Sequence, residues 1–311
     1  MKVFRRMKNA LLAATICSTL LCGGTASADQ TGMEAFKEAI TNGSPHDSRV
    51  FREQIIFFLP DIKADVDFQG VSHVDTELRL QGNLDIVVTD PKGNTVSTTF
   101  PFYIDQLKND MTLYFKSDKK WNKLKAPIAS ASAVDVLATP TETELKDWIS
   151  LVKSSEVLKE TPTQRTMLLD LDESAMIELM EKISEENKNK EETEENKKIQ
   201  EQFSKYLNQG IKNTDVWCIW TVDKQDWQTI TFSINLSGII QETAKAALND
   251  TDANFDELTL EMLKNLAYYS ELRAYTTYLN PEIKSTIELP KELKKAKSID
   301  NIISDNPEVN K

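Results

Sequence analysis

Histidine and cysteine, the side chains most often used as catalytic bases and nucleophiles, are scarce in this sequence, and their spacing restricts them further. Histidine occurs only as His46 and His73, far apart and in polar, turn-like surroundings. Two isolated imidazoles supply neither a zinc ligand set nor the base of a Ser-His-Asp hydrolase. The cysteines are Cys17, Cys22 and Cys218. Cys218 lies within Val216-Trp217-Cys218-Ile219-Trp220, where a small buried hydrophobe is expected rather than a nucleophile. Acidic pairs two residues apart, Asp65 with Asp67 and Asp170 with Asp172, have the types needed for general acid–base work. Residues two apart on a strand share a face, however, and in a chain with 49 acids that spacing arises without catalytic purpose. Their expected place is the wet face of a sheet. The sequence holds no glycine-rich phosphate loop and no nucleophile elbow. No catalytic residue, metal site or cofactor is expected, and the chain reads as a non-enzyme.

The N-terminus directs where such a protein works. Lys2, Arg5, Arg6 and Lys8 precede an apolar run from Ala10 to Cys22, and Ala26-Ser27-Ala28 supplies a small-x-small cleavage site. Residues 1–28 therefore read as an export signal, with the remaining chain periplasmic or extracellular. A rival reading takes Leu20-Leu21-Cys22-Gly23 as a lipoprotein site, with Cys22 acylated and the protein tethered to a membrane. No later segment approaches the roughly 20 apolar residues of a spanning helix, so no transmembrane segment is expected.

Loss of the first 28 residues, which carry four cations and no acid, leaves 33 Lys and Arg against 49 Asp and Glu, a net charge of −16. Nucleic acid is excluded as a partner on the sign of the charge, and anionic membrane surfaces are disfavoured for the same reason. Cleavage after Ala28 leaves Cys218 alone, so no internal disulfide can form.

The periodicity of the chain positions these residues. Met33, Phe36 and Ile40 have helical spacing, stopped by Asn42-Gly43 and Pro45. From Val50 the period becomes two. Ile62, Ala64, Val66 and Phe68 alternate with polar neighbours, and Leu78, Leu80, Leu84, Ile86 and Val88 continue on a long strand with a bend near Gly82. Asp90 to Asn94 is a turn leading to Val96, Thr98, Phe100, Phe102 and Ile104. Residues 50–126 thus form an antiparallel meander with one apolar face that must be covered. The expected cover is helical, over Glu142–Leu158 and Ser174–Ile183, with a strand at Arg165–Leu171 between them. Residues 184–202 are almost wholly polar and read as a solvated helix or loop. Phe203, Tyr206, Leu207 and Ile211 resume an amphipathic face. A second sheet portion spans Val216–Ile240, followed by a helix at Asp256–Tyr269, a strand at Leu272–Tyr278, a short exposed segment at Pro290–Lys297 and a frayed end at 304–311.

Three short motifs resemble those of the LolA-like and LppX-like lipoprotein-carrier superfamily of secreted bacterial proteins. Leu113-Tyr114-Phe115-Lys116, a turn and Trp121-Asn122-Lys123-Leu124 resemble a recurrent hairpin of its uncharacterised branch. Trp220-Thr221-Val222-Asp223-Lys224 is similar to a second hairpin, and Tyr278-Leu279-Asn280 with Ile287-Glu288-Leu289-Pro290 to the closing element. The resemblance implies an α+β fold: a strongly curved antiparallel sheet, an incomplete barrel, with helices covering its concave face. It further implies one half-barrel domain over 29–303 with a polar helical insertion near 173–213, a flexible tail at 304–311, and an apolar hollow able to hold acyl chains. Segment 184–202 has no evident counterpart in the compact carriers, and the cation that gates LolA is not located here.

On that basis the expected function is noncatalytic binding of a lipid or other apolar ligand by an exported envelope protein. The candidate wall is Leu84, Ile86 and Val88 on one strand, Phe100 and Phe102 on the next, Phe115 beyond, and Trp220, Phe232 and Ile234 from the second sheet portion. The alternative is an extracellular interaction or envelope-structure protein whose core is filled by its own side chains, with an envelope protein as partner.

Overall fold

Alternation of apolar and polar residues builds a six-strand antiparallel meander: β1 (Ser48–Leu59), β2 (Ile62–His73), β3 (Glu77–Thr89), β4 (Thr95–Leu107), β5 (Asp110–Ser117) and β6 (Lys120–Pro127). The computed structural model describes residues 32–41, 48–73, 77–90, 92–107, 110–117, 119–127, 149–186, 194–279 and 286–298. The expected export signal, His46 and the 304–311 tail lie outside them. At the β3–β4 turn, the Asp90 carboxylate accepts the N–H groups of Lys92 and Asn94 at 2.9 and 2.8 Å. Gly93 takes a φ of 84° there, a conformation that side chains disfavour.

A second block adds β7 (Val152–Glu160), β8 (Gln164–Leu171), β9 (Trp217–Asp223), β10 (Thr229–Asn235) and β11 (Glu271–Tyr278). β11 pairs antiparallel with β1 from Phe51↔Tyr278 to Phe58↔Glu271, fusing both blocks into one sheet. The two-residue β12 (Lys297–Ser298) pairs parallel with β6. The spatial order is β12-β6-β5-β4-β3-β2-β1-β11-β10-β9-β8-β7. Its two edges do not join, so the α+β fold is an incomplete barrel, as expected.

Five α-helices occur among the described residues: α1 (Gly32–Thr41), α2 (Glu173–Glu186), α3 (Glu194–Lys212), α4 (Ser237–Leu248) and α5 (Glu257–Tyr269). α1 through α4 bring Phe36, Ile177, Ile211 and Ile239 into one core with Ile55, Met167, Trp220 and Ala274 of the sheet. Phe36 meets Trp220 edge-on, with ring centroids 6.0 Å apart. Burying such side chains contributes about 1.5–3 kcal/mol each.

Four expectations are corrected. The helix placed over Glu142–Leu158 is strand β7 from Val152 onward, and 142–148 lie outside the described residues. Val152, Ser155 and Val157 oppose Leu171, Leu169 and Met167 of β8, so pairing with a neighbouring strand outweighs local helical spacing. The strand portion expected to reach Ile240 ends at Asn235, whose carboxamide accepts the N–H of Ser237 at 3.0 Å and helps start α4. Phe203, grouped with Tyr206, Leu207 and Ile211 on one amphipathic face, is 51% exposed, whereas Tyr206 and Ile211 are buried. Residues 290–297, expected to be exposed, include buried Leu293 and Ala296.

These last residues belong to a strap across the outer face. Leu279 donates its N–H to the Val50 carbonyl, and Ile287 packs on Val50 and Val71 with Tyr103 alongside. Arg79 donates from Nη1 to the Ile287 carbonyl at 3.3 Å. A 3-10 turn, Lys291–Lys295, then carries the chain to β12.

Glycine lets the inner face close in the middle of the long strands. A Cβ on Gly82 would stand 2.4 Å from the Phe68 Cβ and 2.7 Å from the Asp67 carbonyl oxygen. Its absence lets Phe68 and Phe102 meet above the strand, with centroids 6.3 Å apart. Near the β7 edge, the buried Arg165 donates from Nη2 to Glu160 at 3.0 Å and lies over Trp227, 5.2 Å from its ring centroid. Lys224 also donates to Glu160, and Glu38 of α1 stands 3.9 Å from Arg165.

Two predictions follow from this packing. Gly82→Ala is expected to lower unfolding stability by about 1–3 kcal/mol in urea titration, the cost of overpacking a closed site. Hydrogen bonds from Arg165 and then Lys224 hold the Glu160 carboxyl below its usual range. A depressed folded-state value adds stability above the unfolded-state value, and that stability is lost as pH falls through the folded one. Glu160→Gln should therefore destabilise the protein at neutral pH, with the gap to wild type narrowing between about pH 5 and 3. A gap that stays constant across that range would place the effect elsewhere.

Candidate ligand-binding surface

Cross-strand register decides which side chains share the inner face. One row runs Val157–Met167–Trp220–Phe232–Thr276–Glu53–Phe68–Gly82–Phe102–Phe115–Asn122, from β7 to β6. The next row holds Ile234, Ala274, Ile55, Val66, Leu84 and Phe100. Beyond it, Phe57, Ala64 and Ile86 are followed by Ile62, Val88 and Val96 at the hairpin tips. All nine candidate wall residues therefore project from the same face.

Burial divides them. Trp220, Phe232 and Ile234 are 0%, 2% and 3% exposed and belong to the core beneath the helices, where Trp220 Nε1 donates to Thr229 Oγ1 at 2.9 Å. Leu84 and Phe102 are partly buried against that core. Ile86, Phe100 and Phe115 are half-buried, and Val88 is 46% exposed. Exposure rises along each strand toward the tips: from Leu78 and Leu80, both buried, to Val88 on β3, and from Val66 to Ile62 on β2. Among the described residues the helices pack chiefly on β1, β7 and β11, and the tip ends of β2–β4 are the more exposed part of the face.

The open strip covers four residues of strand length and three strands of width, about 13 Å by 10 Å from standard strand spacings. Ile62 and Val96, the latter 68% exposed, complete it and were not among the candidate residues. Their signal was present in the alternation, but both stand next to turns, where an apolar residue carries little information about what will cover it. A second exposed apolar group lies on α5, where Leu258, Met262 and Tyr269 follow helical spacing. α5 leads through Ser270 into the end of β11 that pairs with Phe58, so its last turn stands at the same end of the sheet.

The acidic pairs are on structural duty. Asp67 accepts from Arg52 and Asp65 accepts from Gln54, all on the outer face. The Arg52 hydrogen bond holds the Asp67 carboxyl below its ordinary value. Asp172 accepts the N–H of Ala175 at 2.8 Å at the start of α2. Asp170 lies 4.0 Å from Lys153. Cys218 is buried on the inner face, opposite Ile234 and Leu169. Among the described residues no group of three or more His, Cys, Asp or Glu could hold a metal ion, and no helix is long and apolar enough to cross a membrane.

No family model matches the chain, and no curated protein matches it. Among solved structures it is similar to LprF from Mycobacterium bovis, at 10% identity over 85% of this chain and 94% of that one, with a TM-score of 0.36. It is also similar to a LolA superfamily protein from Nitrosomonas europaea, at 9% identity over 81% of this chain and 93% of that one, with a TM-score of 0.23. The open sheet with helices on its concave face is the architecture that the sequence resemblance implied.

The division of the inner face gives a direct test. Val88→Lys and Val96→Lys should each change stability by less than about 0.5 kcal/mol, as exposed substitutions do. Phe232→Ala should cost about 3–5 kcal/mol, because it empties a closed core. Urea unfolding of the three variants checks both statements.

Proposed function

We propose that this protein is an exported, noncatalytic envelope protein that holds a lipid or another apolar ligand against the open end of its inner sheet face. The observation that carries the reading is the contiguous strip Ile62, Leu84, Ile86, Val88, Val96 and Phe100: apolar, on one face, in register, and increasingly uncovered toward the hairpin tips. Exposed apolar area of this kind marks a binding surface, and each ligand methylene buried on it contributes roughly 0.8 kcal/mol. Phe102 and Phe115 extend the wall toward β5, and Trp220, Phe232 and Ile234 form the packed floor from which it rises. Export rests on the basic head, apolar run and cleavage site of residues 1–28. Acylation at Cys22 is the competing arrangement, and a Cys22→Ser variant that still fractionates with membranes counts against it.

A second reading, an interaction protein without a small ligand, draws on the exposed Leu258, Met262 and Tyr269 of α5. Organic extraction of the purified exported form, followed by mass spectrometry, separates the two. Co-purifying lipid is expected in wild type. It should fall severalfold in Ile86→Gln, with an unchanged unfolding midpoint. Wild-type protein that yields no lipid and takes up no added fatty acid would overturn the carrier reading, and equal lipid recovery from Ile86→Gln would remove this strip from the site.

A further inference from the structure

The chain is acidic overall, yet one edge of the sheet is not. Residues 110–125 and 286–298 together hold nine lysines in 29 residues, against 37 lysines and arginines in all 311. The fold brings these two segments together. β12 pairs with β6 through Lys297↔Asn122 and Ser298↔Lys123, and the 3-10 turn packs beside the same strand. Lys119 and Lys120 stand at the β5–β6 turn, while Lys116, Lys123 and Lys125 share the outer face with Trp121. Lys291, Lys294, Lys295 and Lys297 add exposed charge from the strap. Among the described residues none of the nine makes an ion pair, whereas the nearby Asp105 is engaged by Arg79 at 3.2 Å. Glu288 and Glu292 are the acids of the strap.

We propose that this lysine-rich edge docks the protein onto an anionic lipid membrane surface. Three observations favour a membrane over a shaped polyanion site. The cations are all lysines, flexible point charges suited to a diffuse negative surface rather than to bidentate grips on single groups. They are spread over a strand pair and a strap instead of converging on a pocket. Trp121 lies among them, half-buried, 5.6 Å from the Tyr103 ring centroid and with Lys116 Nζ 5.7 Å above its own ring, the kind of aromatic that settles at a headgroup layer. The overall negative charge does not cancel the attraction. Screening over about 8 Å in physiological salt makes docking depend on the local charge rather than on the sum over the chain. β5 and β6 also carry Leu113, Phe115 and Leu124 on the inner face, so contact at this edge places the membrane beside apolar sheet surface.

The test is flotation of the exported form, residues 29–311, with vesicles of phosphatidylcholine alone or containing about 30 mol% phosphatidylglycerol. Binding is expected only to the anionic vesicles and should fall as salt is raised from about 0.05 to 0.5 M. The combined variant Lys119→Glu, Lys120→Glu, Lys294→Glu and Lys295→Glu should bind about tenfold or more weakly. Its unfolding midpoint should be unchanged, because these side chains make no ion pairs among the described residues. Lys198→Glu on α3 should bind as wild type does. Equal binding to neutral vesicles, no binding to either, or undiminished binding by the fourfold variant would overturn the proposal. So would salt-sensitive binding to soluble polyphosphate without vesicle recruitment, which would assign the edge to a soluble polyanion. Lipid recovery in extraction does not depend on these lysines, so either result can fail while the other stands.

Discussion

An antiparallel sheet with an apolar face must cover that face, and here the sheet is wider than its helices. The row that contains Trp220, Phe232, Phe68 and Phe102 crosses eleven strands. α1 through α4 share one buried core with β7–β11 and β1, which Val66 and Phe68 of β2 and Leu78 and Leu80 of β3 join. What remains is an apolar strip at the hairpin tips that water touches. Filling it from outside lowers the free energy by the same effect that built the core.

The covered half is fixed by more than greasy contact. Arg165, buried beneath α1, donates to Glu160 and lies over Trp227, with Glu38 of α1 3.9 Å away, so a hairpin tip, the edge strand and a helix meet at one point. On the outer face, Ile287 and Arg79 hold the C-terminal strap on the sheet before it pairs with β6. From Ile287 the strap reaches the far edge of the meander. Among the described residues it supplies the lone parallel pairing of the sheet, between β12 and β6.

Much of the architecture was legible because strand periodicity is local. The meander, the hairpin at Asp90–Asn94, the strand at 165–171 and the helix at 256–269 all follow from residues a few positions apart. Errors arose where the deciding partner was distant. Val152 to Leu158 carries apolar residues at spacings that suit either element, and only β8 selects the strand. Ser237 looked like the continuation of β10 because its hydrogen bonds to the Asn235 carboxamide compete with the strand pattern of its neighbours. Residues 290–297 contain four lysines and read as solvated, although Leu293 and Ala296 find cover against the sheet.

The sequence by itself determined which face each wall residue would occupy, since alternation assigns sides without reference to the rest of the chain. It also limited the imidazole supply to two histidines set far apart. Only the tertiary structure decided that Trp220, Phe232 and Ile234 are sealed while Val88 and Val96 are open, because coverage depends on where helices from remote segments dock. It alone gathered lysines from residues 116–125 and 291–297 on one edge. Composition sums charge over the whole chain, whereas a screened field is set by the charges that folding places side by side.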